Sequence, residues 1–337
     1  MGIWKISLKA FTLRNLATEG TEIFSRAVAG FGACMRNRAT GGTVRRPAAA
    51  FFSFSFVFSV AIILFLAACG GGEAAADPTV TPQTITDFRV VVASDDISYQ
   101  YPRIPLILQD GSDWITGADK VEISAFDLSM DEPELVWQGE ATRYNDYVLP
   151  YWVVYPDVPH AGEWGLVVDT FLGDTTARLQ IVVELVEETN SPAVGEVPPA
   201  SEYRTLATDP DLAKLTSAAE PDPDLYQQTI AEAMASGKPS VITFATPGFC
   251  QTRYCSPVVD SVSAAKEQFG DAANFIHVEV YKAFSPLVLA DEMAEWGLVT
   301  EPWTFVLDGD GRITARLGGP VSPQELADVL EKVEQTN

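Results

Sequence analysis

The chain has 337 residues, 47% of them hydrophobic, with 22 Lys and Arg against 46 Asp and Glu and a formal net charge of -24. A surface this acidic repels phosphate backbones, which excludes a nucleic-acid partner. The length and apolar content admit two domains, each with its own core.

The charge is unevenly placed. Residues 1–68 hold eight of the 22 basic residues and only two of the 46 acidic ones. A basic head on an acidic body marks a targeting segment. Within it, PAAAFFSFSFVFSVAIILFLAACGGG (47–72) contains no charged residue, and Arg45 and Arg46 stand just before it. This is the charged and then apolar layout of a secretory signal. The run ends in Leu66-Ala67-Ala68-Cys69, which resembles the bacterial lipoprotein signal. That resemblance implies a lipid-modified, N-terminal Cys69 and a flexible tether over 69–86 that begins with Gly70, Gly71 and Gly72. It places the protein on the extracytoplasmic face of the cell membrane. The rival reading is an uncleaved spanning helix, for which roughly 20 apolar residues suffice. Both readings put everything after Cys69 outside the cytoplasm. A start at Met35 would give a signal of ordinary layout, without Cys34. Of the four cysteines, only Cys250 and Cys255 then belong to the folded body, in a compartment where disulfides persist.

From Asp87 the texture is strand-like. RVVVAS, IPLILQD, KVEISAFDL, ELVWQGEA, YVLPYWVVYP, EWGLVVDTF and ARLQIVVEL are short β-rich runs. Turn residues such as Asp110-Gly111 and Leu172-Gly173-Asp174 separate them. The spacing predicts a β-sandwich of roughly seven strands over 87–186. The stretch His160-Ala161-Gly162-Glu163-Trp164-Gly165 resembles the turn before a late strand in immunoglobulin-like modules of bacterial surface proteins. Residues 187–221, rich in Pro, Ala and acids, read as an interdomain linker with a short helical turn at 210–218.

Residues 222–337 alternate between helix and strand. Asp222-Pro223 is an N-cap followed by proline at the first helical position, so a helix is expected to run to Ser236, with Gly237 as its stop. Strand 240–246, the two cysteines, a helix from 256 to 268 and strand 273–281 follow. Ser285-Pro286 is read as opening a helix to Trp296. Strands 303–308 and 312–317 flank the turn Gly309-Asp310-Gly311. Ser322-Pro323-Gln324-Glu325 is a capping box that opens a final helix.

This α-β-α-β-α-β-β-α order resembles the thioredoxin fold, and within it membrane-tethered thiol–disulfide oxidoreductases. The matching residues are Lys238-Pro239 before the strand SVITFAT, the cysteine pair after it, and Thr300-Glu301-Pro302-Trp303 before WTFVLDGDGRI. The resemblance implies a cis Pro302 facing the cysteines, exchange with a protein thiol or disulfide substrate, and no cofactor. It also implies that Cys250 is the exposed nucleophile and that Cys255 resolves the mixed disulfide. Four departures stand out. Four residues rather than two separate the cysteines, Phe249 takes the place of a tryptophan, the family's buried strand acid falls near Thr243, and Glu301 is unusual before the cis-proline.

The residues themselves leave the chemistry of the pair open. Pro257 at a first helical position makes Ser256 the N-cap and puts Cys255 at the helix rim, where free N–H groups favour thiolate. A five-residue helical step would turn the sulfurs about 140° apart, so 250–255 cannot be continuous helix if they are to meet. Arg253 inside the loop favours thiolate, and Glu301 opposes it if it faces the pair. The pair can also be read as a permanent disulfide in a non-enzymatic surface module whose active part is the sandwich. A third reading is a Cu(I) chaperone, because Cys255-Ser256-Pro257 resembles the Sco copper chaperones and thiolates suit Cu(I). Only His160 and His277 could add a nitrogen. His160 sits in the sandwich turn, and His277 reads as a structural strand residue on one face with Phe275, Glu279 and Tyr281. No metal ligand set is assigned.

Overall fold

A computed structural model describes residues 85–250 and 253–336. The signal region and Cys69 lie outside the described residues. Among the described residues, no helix is long and apolar enough to cross a membrane.

The N-terminal lobe holds nine strands: β1 (Phe88–Val92), β2 (Ile104–Asp110), β3 (Asp113–Trp114), β4 (Lys120–Asp127), β5 (Glu134–Glu140), β6 (Thr142–Tyr144), β7 (Tyr151–Val154), β8 (Gly162–Leu172) and β9 (Thr175–Leu185). They form two antiparallel sheets, β1-β2-β7-β6 with β3 on β2, and β5-β4-β8-β9. Strand β4 buries Val121, Ile123 and Ala125 and turns Glu122 outward, the two-residue alternation of a half-covered sheet. These residues meet Leu106, Leu108 and Trp152 of the other sheet in one core, together with the fully buried Trp164. The two sheets therefore share one apolar interior.

The strand count exceeds seven for a local reason. At Ala141, whose N–H bonds the Val121 carbonyl at 2.9 Å, the chain leaves β4's sheet and continues as β6 in the other. The turn ahead of β8 is pinned by His160, whose ring lies 2.8 Å from Asp127, and by Trp164 Nε1, which donates to the His160 carbonyl at 3.2 Å.

Residues after β9 run irregularly along the second lobe. Gly195 N–H bonds Ile313 O at 2.7 Å, and Ile313 N–H bonds Glu196 O at 2.9 Å. Ser201 donates to Glu295 at 2.5 Å and accepts from Trp296 Nε1 at 3.1 Å. A single 3-10 turn, Leu212–Lys214, falls within the expected 210–218.

The second lobe contains α1 (Ile230–Ala235), β10 (Ser240–Ala245), α2 (Cys255–Phe269), β11 (Asn274–Glu279), β12 (Tyr281–Phe284), β13 (Leu287–Leu289), α3 (Asp291–Glu295), β14 (Trp303–Leu307), β15 (Ile313–Gly318) and α4 (Pro323–Thr336). The sheet order is β11-β10-β14-β15. Strand β10 runs parallel to β11 and antiparallel to β14. This is the thioredoxin-type arrangement, with the cysteines between the first strand and the next helix. Strand β10 (SVITFA) is buried on both faces. Val241 and Ala245 join Val262 of α2 and Leu326 of α4 on one side. Ile242 and Phe244 join Ile230 of α1 and Met293 of α3 on the other.

Three expected elements differ. The helix expected from Asp222 to Ser236 is broken: a 3-10 turn at Pro223–Tyr226 ends, and Thr229 starts α1 afresh through a reciprocal capping box with Glu232. Ser285-Pro286 opens no helix. It is the cis turn of the β12–β13 hairpin, and α3 spans only five residues. Helix α2 begins at Cys255 with Tyr254 as N-cap, because Tyr254 already has helical dihedrals and its carbonyl accepts from Val258 N–H at 2.9 Å. Pro257 is thus the third helical residue, where its missing N–H still breaks no intrahelical bond.

All described residues belong to one compact unit. Arg103, just ahead of β2, is 4% exposed and reaches α4 of the second lobe. Its Nε and Nη2 meet the two Glu325 oxygens at 2.7 and 2.8 Å, and it also donates to Gly318 O and Pro320 O. Tyr151 donates to Glu325 Oε2 at 2.5 Å and accepts from Ser322 N–H at 2.8 Å. Ser322 caps Glu325 N–H at 3.1 Å, so half of the expected box forms while the Glu325 carboxylate turns to Arg103. Gly319 (φ +78°) completes the seam, since a Cβ there would lie 1.7 Å from Ala93 O.

Candidate redox site

Strand β10 delivers the chain to Thr246 at the end of the sheet. A tight turn follows, with Phe249 N–H on Thr246 O at 3.3 Å and Gly248 N–H on Ser217 Oγ at 2.9 Å. Cys250 comes next, and Cys255 opens α2. The two form a disulfide with their Cα atoms 6.1 Å apart. The described residues between them, Arg253 and Tyr254, lie outside the helix, as the angular argument requires.

The two cysteines differ in burial. Cys255 is completely buried in the core shared by α2 and α4, whereas Cys250 is partly exposed. Arg253 is exposed and makes no ion pair among the described residues. The Glu301–Pro302 peptide is cis, and Pro302 is buried. Phe249 is 39% exposed and stacks its ring among Tyr281 and Phe284 of the β12–β13 hairpin, at 5.9 and 5.5 Å. Leu287 and Leu289 of that hairpin are exposed too. An apolar surface therefore borders the turn that carries Cys250.

Glu301 does face the pair. Its Oε2 lies 2.8 Å from Cys255 Sγ and accepts from Thr246 N–H at 3.2 Å. Burial pushes its carboxyl up to about 7; the Thr246 N–H pulls the other way, and the negative Glu279 reinforces the rise. An oxidised Cys255 has no hydrogen to give. A hydrogen bond within the oxidised pair therefore needs a protonated Glu301 that donates to sulfur.

Glu279 on β11 is buried beneath this point. Its Oε2 accepts from Ser217 N–H and Oγ, both at 2.7 Å, while its buried Oε1 has no hydrogen-bond partner. Thr243, where the family's strand acid falls, is buried and bonded to Thr304 across the sheet at 3.0 Å. That position holds a neutral hydroxyl.

Neither histidine joins the sulfurs. Buried His277 is held between Tyr226 OH, at 2.6 Å from Nδ1, and Ala245 O, at 3.0 Å from Nε2, and burial lowers its pKa. The carbonyl can only accept, so Nε2 carries the proton and Nδ1 accepts from the tyrosine. His160 stays in the sandwich turn. Among the described residues neither histidine lies at the pair, so the copper reading rests on the two thiolates alone.

The sequence leaves open whether Glu301 faces the pair, and its contact with Cys255 decides it. The aromatic cluster around Phe249 goes beyond the sequence analysis, which expects helix after Ser285 although Leu287-Val288-Leu289 has strand character.

No family model matches the chain, and no curated protein matches it. Among solved structures, a DsbF homologue from Corynebacterium diphtheriae aligns at 20% identity, with a TM-score of 0.26, over 31% of this chain and 76% of that one. StoA from Bacillus subtilis aligns at 17% identity, with a TM-score of 0.24, over 28% of this chain and 83% of that one. The fold assignment rests on the strand order and the placement of the cysteines described above.

Proposed function

We propose that the protein exchanges thiols and disulfides with protein substrates through Cys250 and Cys255, held outside the cytoplasm by a lipid on Cys69. One observation carries the reading: the disulfide joins a partly exposed cysteine to a fully buried one between β10 and α2. Cys250 attacks a substrate disulfide, and Cys255 resolves the mixed disulfide, because only an accessible thiolate can meet a large partner. Pro302 follows Glu301, whose carboxyl meets Cys255 Sγ, and Arg253 supplies positive charge to the loop. The apolar surface around Phe249 suits an unfolded or flexible substrate segment.

Turnover of insulin disulfides by the reduced full chain tests this reading. The parent is expected to turn over and Cys250→Ser to be inactive. Equal rates, or a Cys250–Cys255 reduction potential far below about -300 mV, would instead mark the bond as a structural staple.

A further inference from the structure

We propose that Glu301 is the proton carrier of Cys255, taking the thiol proton as Cys255 attacks and returning it when the disulfide opens. The proposal rests on the exchange reading above and adds a catalytic residue to it.

The geometry states the problem and its solution. Cys255 has no exposed surface, so its proton cannot pass directly to bulk water. Glu301 Oε2 touches its sulfur at 2.8 Å, while the Glu301 residue is itself partly exposed. The carboxyl thus bridges a buried sulfur and the surface. The Thr246 N–H at 3.2 Å holds the same oxygen in place. The groups facing Glu301 are Cys255 from α2, the Thr246 amide from the end of β10, and Glu279 from β11. On the same strand as Glu279, His277 is occupied by Tyr226 and Ala245. No cation appears in this set. A carboxyl crowded by burial and a second acid is poised to exchange its proton near neutrality, which suits a general base at physiological pH.

Cys250 thiolate attacks a disulfide R–S–S–R′, forming Cys250–S–S–R and releasing R′–S⁻. Ionised Glu301 then takes the proton of Cys255. The resulting thiolate attacks Cys250 Sγ, the Cys250–S–R bond breaks, and R–S⁻ leaves. The protein dithiol is oxidised and the substrate disulfide is reduced. In reverse, a substrate thiolate attacks Cys250 Sγ, and Cys255 departs with the Glu301 proton.

The reagent 5,5′-dithiobis(2-nitrobenzoate) separates the two halves, because the reduced full chain releases one aryl thiolate at each. The first release reports attack by Cys250, and the second reports resolution by Cys255. In Glu301→Gln the ratio of second to first rate is expected to fall about 100-fold at pH 7, within the range of a positioned acid–base group. The second rate of the parent should rise with pH through an inflection near 7 that the variant lacks. A misfolded variant would lose the first release as well, so the ratio isolates Cys255. An unchanged ratio with the same pH profile overturns the role of Glu301. Failure of the parent to give any first release overturns the exchange reading instead, and the role of Glu301 with it.

Discussion

At the scale of single residues, Glu301 just ahead of β14 and His277 on β11 pull the pH response of the fold in opposite directions. Glu301 ordinarily ionises near 4.5 and is raised to about 7 by burial. Between these values the unfolded chain binds fewer protons than the folded one, so stability falls as pH rises. This contribution is fully present below 4.5 and lost above 7. His277 acts with the opposite sign. Burial keeps it neutral, and the unfolded chain takes up a proton below about 6.5, so stability rises with pH there. Comparing the oxidised parent with oxidised Glu301→Gln cancels His277. The urea midpoint of the variant, relative to the parent, is expected to climb from pH 4.5 to 7 and then level off. Parallel curves for the two proteins would show that the carboxyl is not destabilised in the fold. Part of this is legible in the sequence: Glu301 stands beside Pro302, and Thr243 is not an acid. The distance from carboxyl to sulfur was not legible, because it depends on where β14 and α2 meet.

At the scale of elements, runs with one clear period were the most legible. SVITFA reads as a strand because its apolar side chains feed cores on both faces, and β10 is that strand. The ends of helices were less so, because several capping signals compete. Asp222-Pro223 does cap a turn, but Thr229 with Glu232 offers a complete capping box seven residues later, and α1 starts there. Pro257 reads as a first helical residue, yet at the third its missing N–H also breaks no intrahelical bond, and α2 reaches back to include Cys255. That shift has a chemical consequence. It draws Cys255 fully into the helix and the core, and leaves Cys250 as the accessible member of the pair. Ser285-Pro286 misled for a similar reason: the dipeptide serves a helix start and a turn alike, and only the strand character of its flanks favours the turn.

At the scale of the whole molecule, the sequence separates two lobes but does not show how firmly they join. Their seam is made by residues more than 200 positions apart, Arg103 and Glu325, which no local pattern links. The pair is buried and its hydrogen bonds are satisfied. Removing one partner leaves an uncompensated buried charge, so Arg103→Ala is expected to cost about 3–5 kcal/mol in urea unfolding. A loss below about 1 kcal/mol, the value of an exposed pair, would mean that the seam is wet and loose. Because α4 carries Glu325 and packs with α2 in one core, the seam also steadies the helix that holds Cys255. Everything then turns on the unequal burial of the two cysteines. The most direct measurement is mass mapping of mixed disulfides formed when each single-cysteine chain, Cys255→Ser or Cys250→Ser, meets a disulfide-bonded protein. The account predicts a stable adduct on Cys250 in the first chain and little or none on Cys255 in the second. Equal trapping on both, or adducts on Cys255 alone, would contradict it.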